Sequence, residues 1–325
     1  GIVHSGIPPN FEELVSDLIN NFVLPRNNQP GIGITVVTTD GSYNLTRGYG
    51  LRNVAKNSSI DDSTLFLIGS VTKSFTATLV AKILNEKFPQ YGEAVLDIPV
   101  AKLWPSFNFT LIDRARAEST SFRDLLSHRA CLARDDVAIS FEAFESIEEF
   151  AYRSRYIPEG CPFRSGLSYN NNLLALAGEL IAQLNGNSNY TELLEIFLKD
   201  LGMNSTTVVR ENDDYEKWDQ LATPYYRKEG DLVTYDFRSI NRLQVAGAAG
   251  YIISSMTDMS KYARFHLNLG KVNGRQIVPE SVLTWLYRPS ILFEYFEYKS
   301  QDFDVNGNFA YGLGLFIGFF EGKQN

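Results

Sequence analysis

Apolar residues at Phe11, Leu14, Val15, Leu18, Ile19 and Phe22 recur at helical spacing, which predicts an amphipathic helix over 11–23. Past Pro30-Gly31 the period shortens. Ile32 to Thr39 is β-branched and strand-like, Asp40-Gly41 is a hairpin signal, and Tyr43 to Tyr49 supplies a second strand. A polar loop over 53–63 leads to the short apolar run Leu65-Phe66-Leu67-Ile68. After it Val71, Phe75 and Leu79 return to four-residue spacing, and Val80, Ile83 and Leu84 widen the stripe. The N-terminal part reads helix, hairpin, short strand, long helix.

From Asn85 to about Val245 the pattern is predominantly helical. Ser121 fits the N-cap of a helix over 122–128, and further helices are expected over 141–152, 171–184 and 190–201. Beyond Val245 the stretch Gly247-Ala248-Ala249-Gly250 precedes a short strand at 251–253. Thr257 is expected to cap a helix ending at Gly270, and Pro279 to open a shorter one through Leu286. Residues 309–320 read as a closing strand. This order predicts an α+β fold: an antiparallel sheet flanked by helices, built from 1–84 plus 246–325, with an all-helical subdomain over 85–245.

Composition narrows the function. Hydrophobic content of 44% with 21% charged residues is that of an ordinary globular chain. A formal net charge of −8 and the lack of a basic cluster argue against nucleic-acid binding. No run approaches the roughly 20 apolar residues that cross a bilayer. Cys131 and Cys161 fit one disulfide or two buried thiols equally well. Asn-x-Ser/Thr sequons begin at Asn44, Asn57, Asn108, Asn189 and Asn204, and with the cysteines they tip the reading toward a secreted protein. The chain opens at Gly1 without an initiator Met or a signal peptide, as expected of a processed protein or a fragment.

Chemistry concentrates at Gly69-Ser70-Val71-Thr72-Lys73, where the apolar run gives way to the helix. Ser70 falls at the helix mouth, in the field of its N-terminus, and Lys73 follows one turn later on the same side. Ser-x-x-Lys is the nucleophile spacing of penicillin-binding proteins and serine β-lactamases. A second constellation, Ser168-Tyr169-Asn170-Asn171, stands where the 156–168 loop enters the next helix. A lysine ammonium beside Tyr169 would favour the phenolate, a competent base, and Asn171 would orient the lysine or hold a substrate amide. In isolation Tyr169-Asn170-Asn171 also fits a capping asparagine behind a core tyrosine. The acidic pairs Asp61-Asp62, Asp135-Asp136 and Asp213-Asp214 read as solvated loop charges rather than cation sites. The three histidines lack metal-like spacing, and no cofactor or metal is expected.

Along nearly its whole length, from about Phe11 to Phe319, the chain resembles the family that joins class C β-lactamases, D-alanyl-D-alanine carboxypeptidases and related esterases. The resemblance is carried by Pro30-Gly31-Ile32, Gly48-Tyr49-Gly50, the segment from Thr64 to Thr76, Arg123-Asp124-Leu125-Leu126-Ser127-His128, Tyr169-Asn170-Asn171, Leu201-Gly202-Met203, Gly247–Gly250 and Thr257-Asp258-Met259. It implies Ser70 as nucleophile, Lys73 as its activating partner, Tyr169 as second base and proton donor, and Asn171 as a substrate or lysine ligand. It also implies half of an oxyanion hole at the Ser70 N–H, and an acyl-enzyme that water hydrolyses. His128 reads as structural, at a helix end.

Two departures qualify these expectations. The family's Lys/His-x-Gly element should follow the 309–320 strand, but the sequence stops at Asn325 first. Lys299-Ser300-Gln301 is the nearest imitation. A longer parent protein is expected, and a poor enzyme from this chain as it stands. Cys131 replaces a usual glycine, and because the family's two loops approach each other, the resemblance implies a Cys131–Cys161 disulfide bracing the cleft. The expected function is a serine hydrolase cleaving an ester, amide or peptide-like bond of a small-molecule or peptide-like substrate. The alternative is a catalytically weak or inactive member acting as an extracellular binding or matrix protein. Oligomeric state is not readable from the sequence.

Overall fold

The computed structural model describes residues 7–107, 109–134, 149, 152–210, 212–236, 247–292, 308–320 and 323–324. Helix α1 (Phe11–Leu18) continues through a π turn at Ile19–Val23 into Leu24–Asn27. The ladder widens just ahead of Pro25, which has no N–H to donate. Asn28 then ends the helix in the left-handed region, at φ 44°. Strands β1 (Gly31–Val37) and β2 (Asn44–Asn53) form the expected antiparallel hairpin, in register from Gly31 opposite Gly50 to Val37 opposite Asn44. Ile32, Ile34 and Val36 pack with Leu45 and Tyr49 against Val15 of α1 and Ile19 of the π turn. Strand β3 (Ser58–Ser59) adds to β2, which runs beyond the predicted Tyr49.

Strand β4 (Leu65–Leu67) leads through a 3₁₀ turn at Gly69–Val71 into α2 (Thr72–Lys87), the centre of the molecule. The spacing predicts one buried stripe on this helix, but every residue from Thr72 to Ala81 is buried. Val71, assigned to the stripe, is instead 47% exposed, because it lies in the preceding turn and not on the helix. The buried polar groups are hydrogen-bonded, as burial requires. Thr76 Oγ1 donates to Ala248 O (2.6 Å) and lies 2.8 Å from Tyr190 Oη, Thr78 Oγ1 donates to Ser74 O (2.7 Å), and Ile252 N to Thr72 Oγ1 (3.2 Å).

Short helices α3 (Arg114–Ser119) and α4 (Phe122–Leu126) follow, the second opened by a capping box between Ser121 and Asp124. Then come α5 (Asn171–Leu184) and α6 (Tyr190–Leu201), at their predicted bounds. Most of the expected 141–152 helix lies outside the described residues. The 85–245 stretch also carries β5 (Thr207–Val208) and a hairpin of β6 (Tyr225–Lys228) and β7 (Asp231–Thr234). That hairpin turns at Glu229-Gly230, both at positive φ. Strand β8 (Ile252–Ser255) lies between β4 and β5 in a three-stranded antiparallel sheet.

Helix α7 (Met256–Leu267) is capped by Ser255, whose side chain accepts the Asp258 N–H, and not by Thr257 as expected. It ends three residues before Gly270 and covers the second face of the β1–β2 hairpin. A Cβ on Gly33 would lie 2.2 Å from the Met256 sulfur. Pro279 opens α8 (Glu280–Leu283) as predicted. The expected 309–320 strand is two strands, β9 (Asn308–Tyr311) and β10 (Phe316–Phe320), paired antiparallel around a turn at 312–315. Glycines 312 and 314 make that turn possible. One apolar core runs from Phe75 and Leu79 through Leu173–Ala182 and Leu194 to Leu286 and Leu313.

Gly314 has φ 69°, and a Cβ there would stand 2.5 Å from the Lys73 carbonyl oxygen. Gly314→Ala is therefore expected to lower stability by about 2 kcal/mol, through left-handed strain and displacement of α2. A urea midpoint matching that of the unsubstituted protein would refute this account.

Candidate active site

Antiparallel pairing places Leu65 opposite Ser255 and Leu67 opposite Ile253, and Ile68 N donates to Ile252 O (3.0 Å). The sheet thus fixes the point at which the chain turns into α2. Gly69 takes φ 53°, leaving Ser70 exposed in the turn and Lys73 buried in the first turn of α2, at 1% exposure. The Lys73 Nζ donates to Ser70 Oγ (3.1 Å), Asn171 Oδ1 (2.7 Å) and Ala249 O (2.5 Å). From the other side Tyr169 Oη donates to Ser70 Oγ (2.8 Å), and Lys73 Nζ stands 4.8 Å from the Tyr169 ring centre. Ser70, Lys73, Tyr169 and Asn171, singled out from the sequence across about a hundred residues, meet in one hydrogen-bonded group.

Local structure explains why Tyr169 and Asn171 arrive together. Asn170 is the N-cap of α5, its Oδ1 accepting from Leu173 N (3.0 Å). Capping buries Asn170 and leaves its two neighbours directed toward α2. The loop before them runs beside the loop that leaves α4. Ser168 N donates to His128 O (2.9 Å), Arg164 N to Arg129 O (3.0 Å), Gly160 N to Cys131 O (2.9 Å) and Ala133 N to Pro158 O (2.9 Å).

A Cys131–Cys161 disulfide joins the same two loops, with Cα atoms 5.1 Å apart. Cys131 has φ 57°, a backbone that glycine adopts without strain. Arg116, 4% exposed on α3, reaches Ala130 O, Cys131 O (3.0 Å), Cys161 O and the Glu159 carboxylate (2.7 Å). It sews the loops together from beneath.

Aromatic rings and cations complete the wall. The His128 ring lies 4.2 Å from that of Tyr169 and 5.1 Å from that of Tyr311, and the Arg134 guanidinium sits 5.7 Å over the Tyr169 ring. Burial, followed by the Lys73 charge, pushes His128 down to about 3, so the imidazole is neutral at physiological pH. Burial, then the neighbouring Tyr169, drives the Tyr311 phenol above the ordinary tyrosine range.

Sequence reasoning did not find Ala249, Arg116 or Tyr311. The first acts through a carbonyl that every residue possesses. The second is a buried arginine in a segment of ordinary polarity, and the third lies in a run read as one strand. Among the described residues, no cluster of His, Cys, Asp or Glu suits a metal ion. Asp61 is occupied by Ser63 and Thr64, and Asp214 pairs with Lys217 at 2.8 Å, while Asp135-Asp136 lies outside the described residues. Asn44, Asn57, Asn189 and Asn204 are exposed, and Asn108 lies outside the described residues. No described helix is long and apolar enough to cross a membrane.

The beta-lactamase family model matches residues 19–317. The chain belongs to the beta-lactamase family. An unguisins hydrolase of Aspergillus violaceofuscus is 29% identical over 246 residues, 74% of this chain and 42% of that protein. The chain spans about half the length of the curated relatives it matches, at 42% and 46% for two fungal ones. Among solved structures, the octameric penicillin-binding protein homologue from Pyrococcus abyssi superposes with a TM-score of 0.74 at 26% identity, over 96% of this chain and 66% of the other. The D-amino acid amidase from Ochrobactrum anthropi SV3 shares the fold, with a TM-score of 0.70 at 21% identity over 96% and 82% of the two chains. The beta-lactamase fold expected from the sequence is thereby confirmed. The two fungal relatives are named hydrolases.

Proposed function

We propose that the protein cleaves an ester, amide or peptide-like bond through an acyl-enzyme on Ser70. The observation that carries this reading is the convergence of Lys73 Nζ and Tyr169 Oη on a single exposed hydroxyl, at 3.1 and 2.8 Å. An ammonium has three N–H groups, and Lys73 directs three donor contacts to Ser70, Asn171 and Ala249. With the lysine so engaged, Tyr169 is the group that takes the Ser70 proton as Oγ attacks the carbonyl carbon, the lysine charge favouring its phenolate. The same hydroxyl then returns the proton to the leaving group, and water releases the acyl group. The Ser70 N–H would supply one donor to the oxyanion.

On this reading the cleft lies between 1–84 plus 246–325, which contribute Ser70, Lys73 and Ala249, and 85–245, which contributes Tyr169 and Asn171. The disulfide and four exposed sequons support an extracellular setting, with a small-molecule or peptide-like substrate.

Intact-mass spectrometry after incubation with a fluorophosphonate, and separately with a penicillin, tests the proposal. One fluorophosphonate adduct per chain, mapped to the peptide carrying Ser70, is the expected result. A penicillin adduct on the same peptide would extend the substrate class to β-lactams. A folded protein that takes neither reagent would overturn the reading.

A further inference from the structure

We propose that His128 is a positioning residue that holds the Tyr169 hydroxyl on Ser70. This rests on the reading above, in which Tyr169 acts on the serine proton, and adds a residue which that reading leaves unused. His128 meets three consecutive residues of the segment that bears Tyr169. Its carbonyl accepts from Ser168 N (2.9 Å), its ring lies 4.2 Å from the Tyr169 ring, and its Nδ1 accepts from Asn170 N (3.2 Å). The backbone of His128 is left-handed, at φ 58°, which turns the end of α4 toward that segment.

The chemistry of the imidazole narrows its part further. Neutral imidazole has one donor and one acceptor nitrogen, and acceptance at Nδ1 puts the proton on Nε2. That Nε2 is buried, with no hydrogen-bond partner among the described residues. A phenylalanine would fill the same space between Tyr169 and Tyr311 and remove the unpaired Nε2–H, but it would leave the buried Asn170 N–H without its acceptor. The contribution peculiar to histidine is therefore the Nδ1 acceptor, which fixes the peptide between Tyr169 and Asn170. Because burial keeps the ring neutral, the acceptor persists at any pH near neutrality.

Three variants test this on the whole chain: His128→Phe, which keeps a ring and loses the acceptor, His128→Asn, whose amide oxygen can stand where Nδ1 stands, and Tyr169→Phe. The readout is the rate of fluorophosphonate labelling of Ser70. His128→Phe is expected to slow labelling by about tenfold or more, with His128→Asn recovering part of the loss. Combined with Tyr169→Phe, His128→Phe should add almost nothing, because two residues acting through one hydroxyl are non-additive. A residue that only stabilises the fold would leave the labelling rate of the folded fraction unchanged, or slow it equally in both backgrounds. Either result would overturn the proposal.

A crystal structure of His128→Phe supplies a readout independent of activity. The Tyr169 Oη to Ser70 Oγ separation is expected to open beyond hydrogen-bonding range. If it stays at 2.8 Å, the positioning role is refuted, even if the hydrolase reading stands. If the unsubstituted protein takes no label, the hydrolase reading fails, and the crystallographic separation alone decides the role of His128.

Discussion

Ser70→Ala should abolish fluorophosphonate labelling, and Lys73→Met should slow acylation by a factor on the order of 10²–10⁴ while leaving the fold intact. The first follows from loss of the atom on which both Lys73 and Tyr169 converge. The second follows from what methionine keeps and what it removes. It occupies about the same length in a site where Lys73 is 1% exposed, but supplies no donor to Ser70 Oγ, Asn171 Oδ1 or Ala249 O. Without the Lys73 charge the Tyr169 phenolate is no longer favoured, and loss of that proton transfer costs about two to four orders of magnitude in rate. Stability should change little, because removing a buried charge offsets the acceptors left unpaired. Labelling rates with melting curves on both variants check this. A Lys73→Met protein acylated at the unsubstituted rate would remove lysine from the mechanism.

The parts of this site legible in the sequence are those in which position along the chain fixes position in space. Ser70 and Lys73 are one helical turn apart, so one local rule relates them. Tyr169 and Asn171 flank a capping asparagine, so a second local rule turns both outward on the same side of the helix entrance. What joins the two pairs is not local. It depends on β4 pairing with β8 across nearly two hundred residues, and on a Cβ-free Gly178 that brings α5 against Ala248, where a Cβ would lie 2.5 Å from the alanine Cβ.

The resemblance supplied that long-range step, and composition and periodicity could not. The errors have the same origin. Residues 309–320 alternate like one strand, and only contact with Lys73 and Leu126 requires a turn at Gly314. The stripe drawn on α2 was too narrow because a central helix is packed on all sides, and its Thr72 and Thr76 are satisfied by partners distant in sequence. The Glu229-Gly230 hairpin carried a local signal that the helical pattern around it concealed.

Asp124→Ala should destabilise the protein by about 3–4 kcal/mol, and the difference should shrink in acid. The Asp124 carboxylate is fully buried and accepts from Ser121 N (2.9 Å), Ser121 Oγ (3.0 Å), Arg129 Nε (2.6 Å), and the Arg164 Nε and terminal nitrogen (2.8 and 2.7 Å). Removing it opens the capping box and leaves two guanidinium groups without their shared partner. Breaking a buried pair costs about 3–5 kcal/mol, and the lower end applies because the Arg164 side chain, 39% exposed, can rehydrate.

Burial alone would raise the Asp124 carboxyl. The Arg164 hydrogen bond, the Arg129 charge and the Ser121 amide outweigh it and hold the group below its ordinary value of 3.8. The unfolded chain therefore binds this proton first as pH falls. The stabilisation is complete above the unfolded value and is lost as pH drops through the folded one. Thermal melts from about pH 7 to pH 2.5 should show the two proteins converging at the acid end. A constant gap across that range would mean that Asp124 acts through shape alone. The same substitution should slow Ser70 labelling, because Arg129 adjoins His128 and Arg164 lies in the loop that delivers Tyr169. With the Asp124 carboxylate gone, the two loops keep the disulfide, Arg116 and their backbone hydrogen bonds but lose their charged anchor, and Tyr169 is held less firmly over the serine.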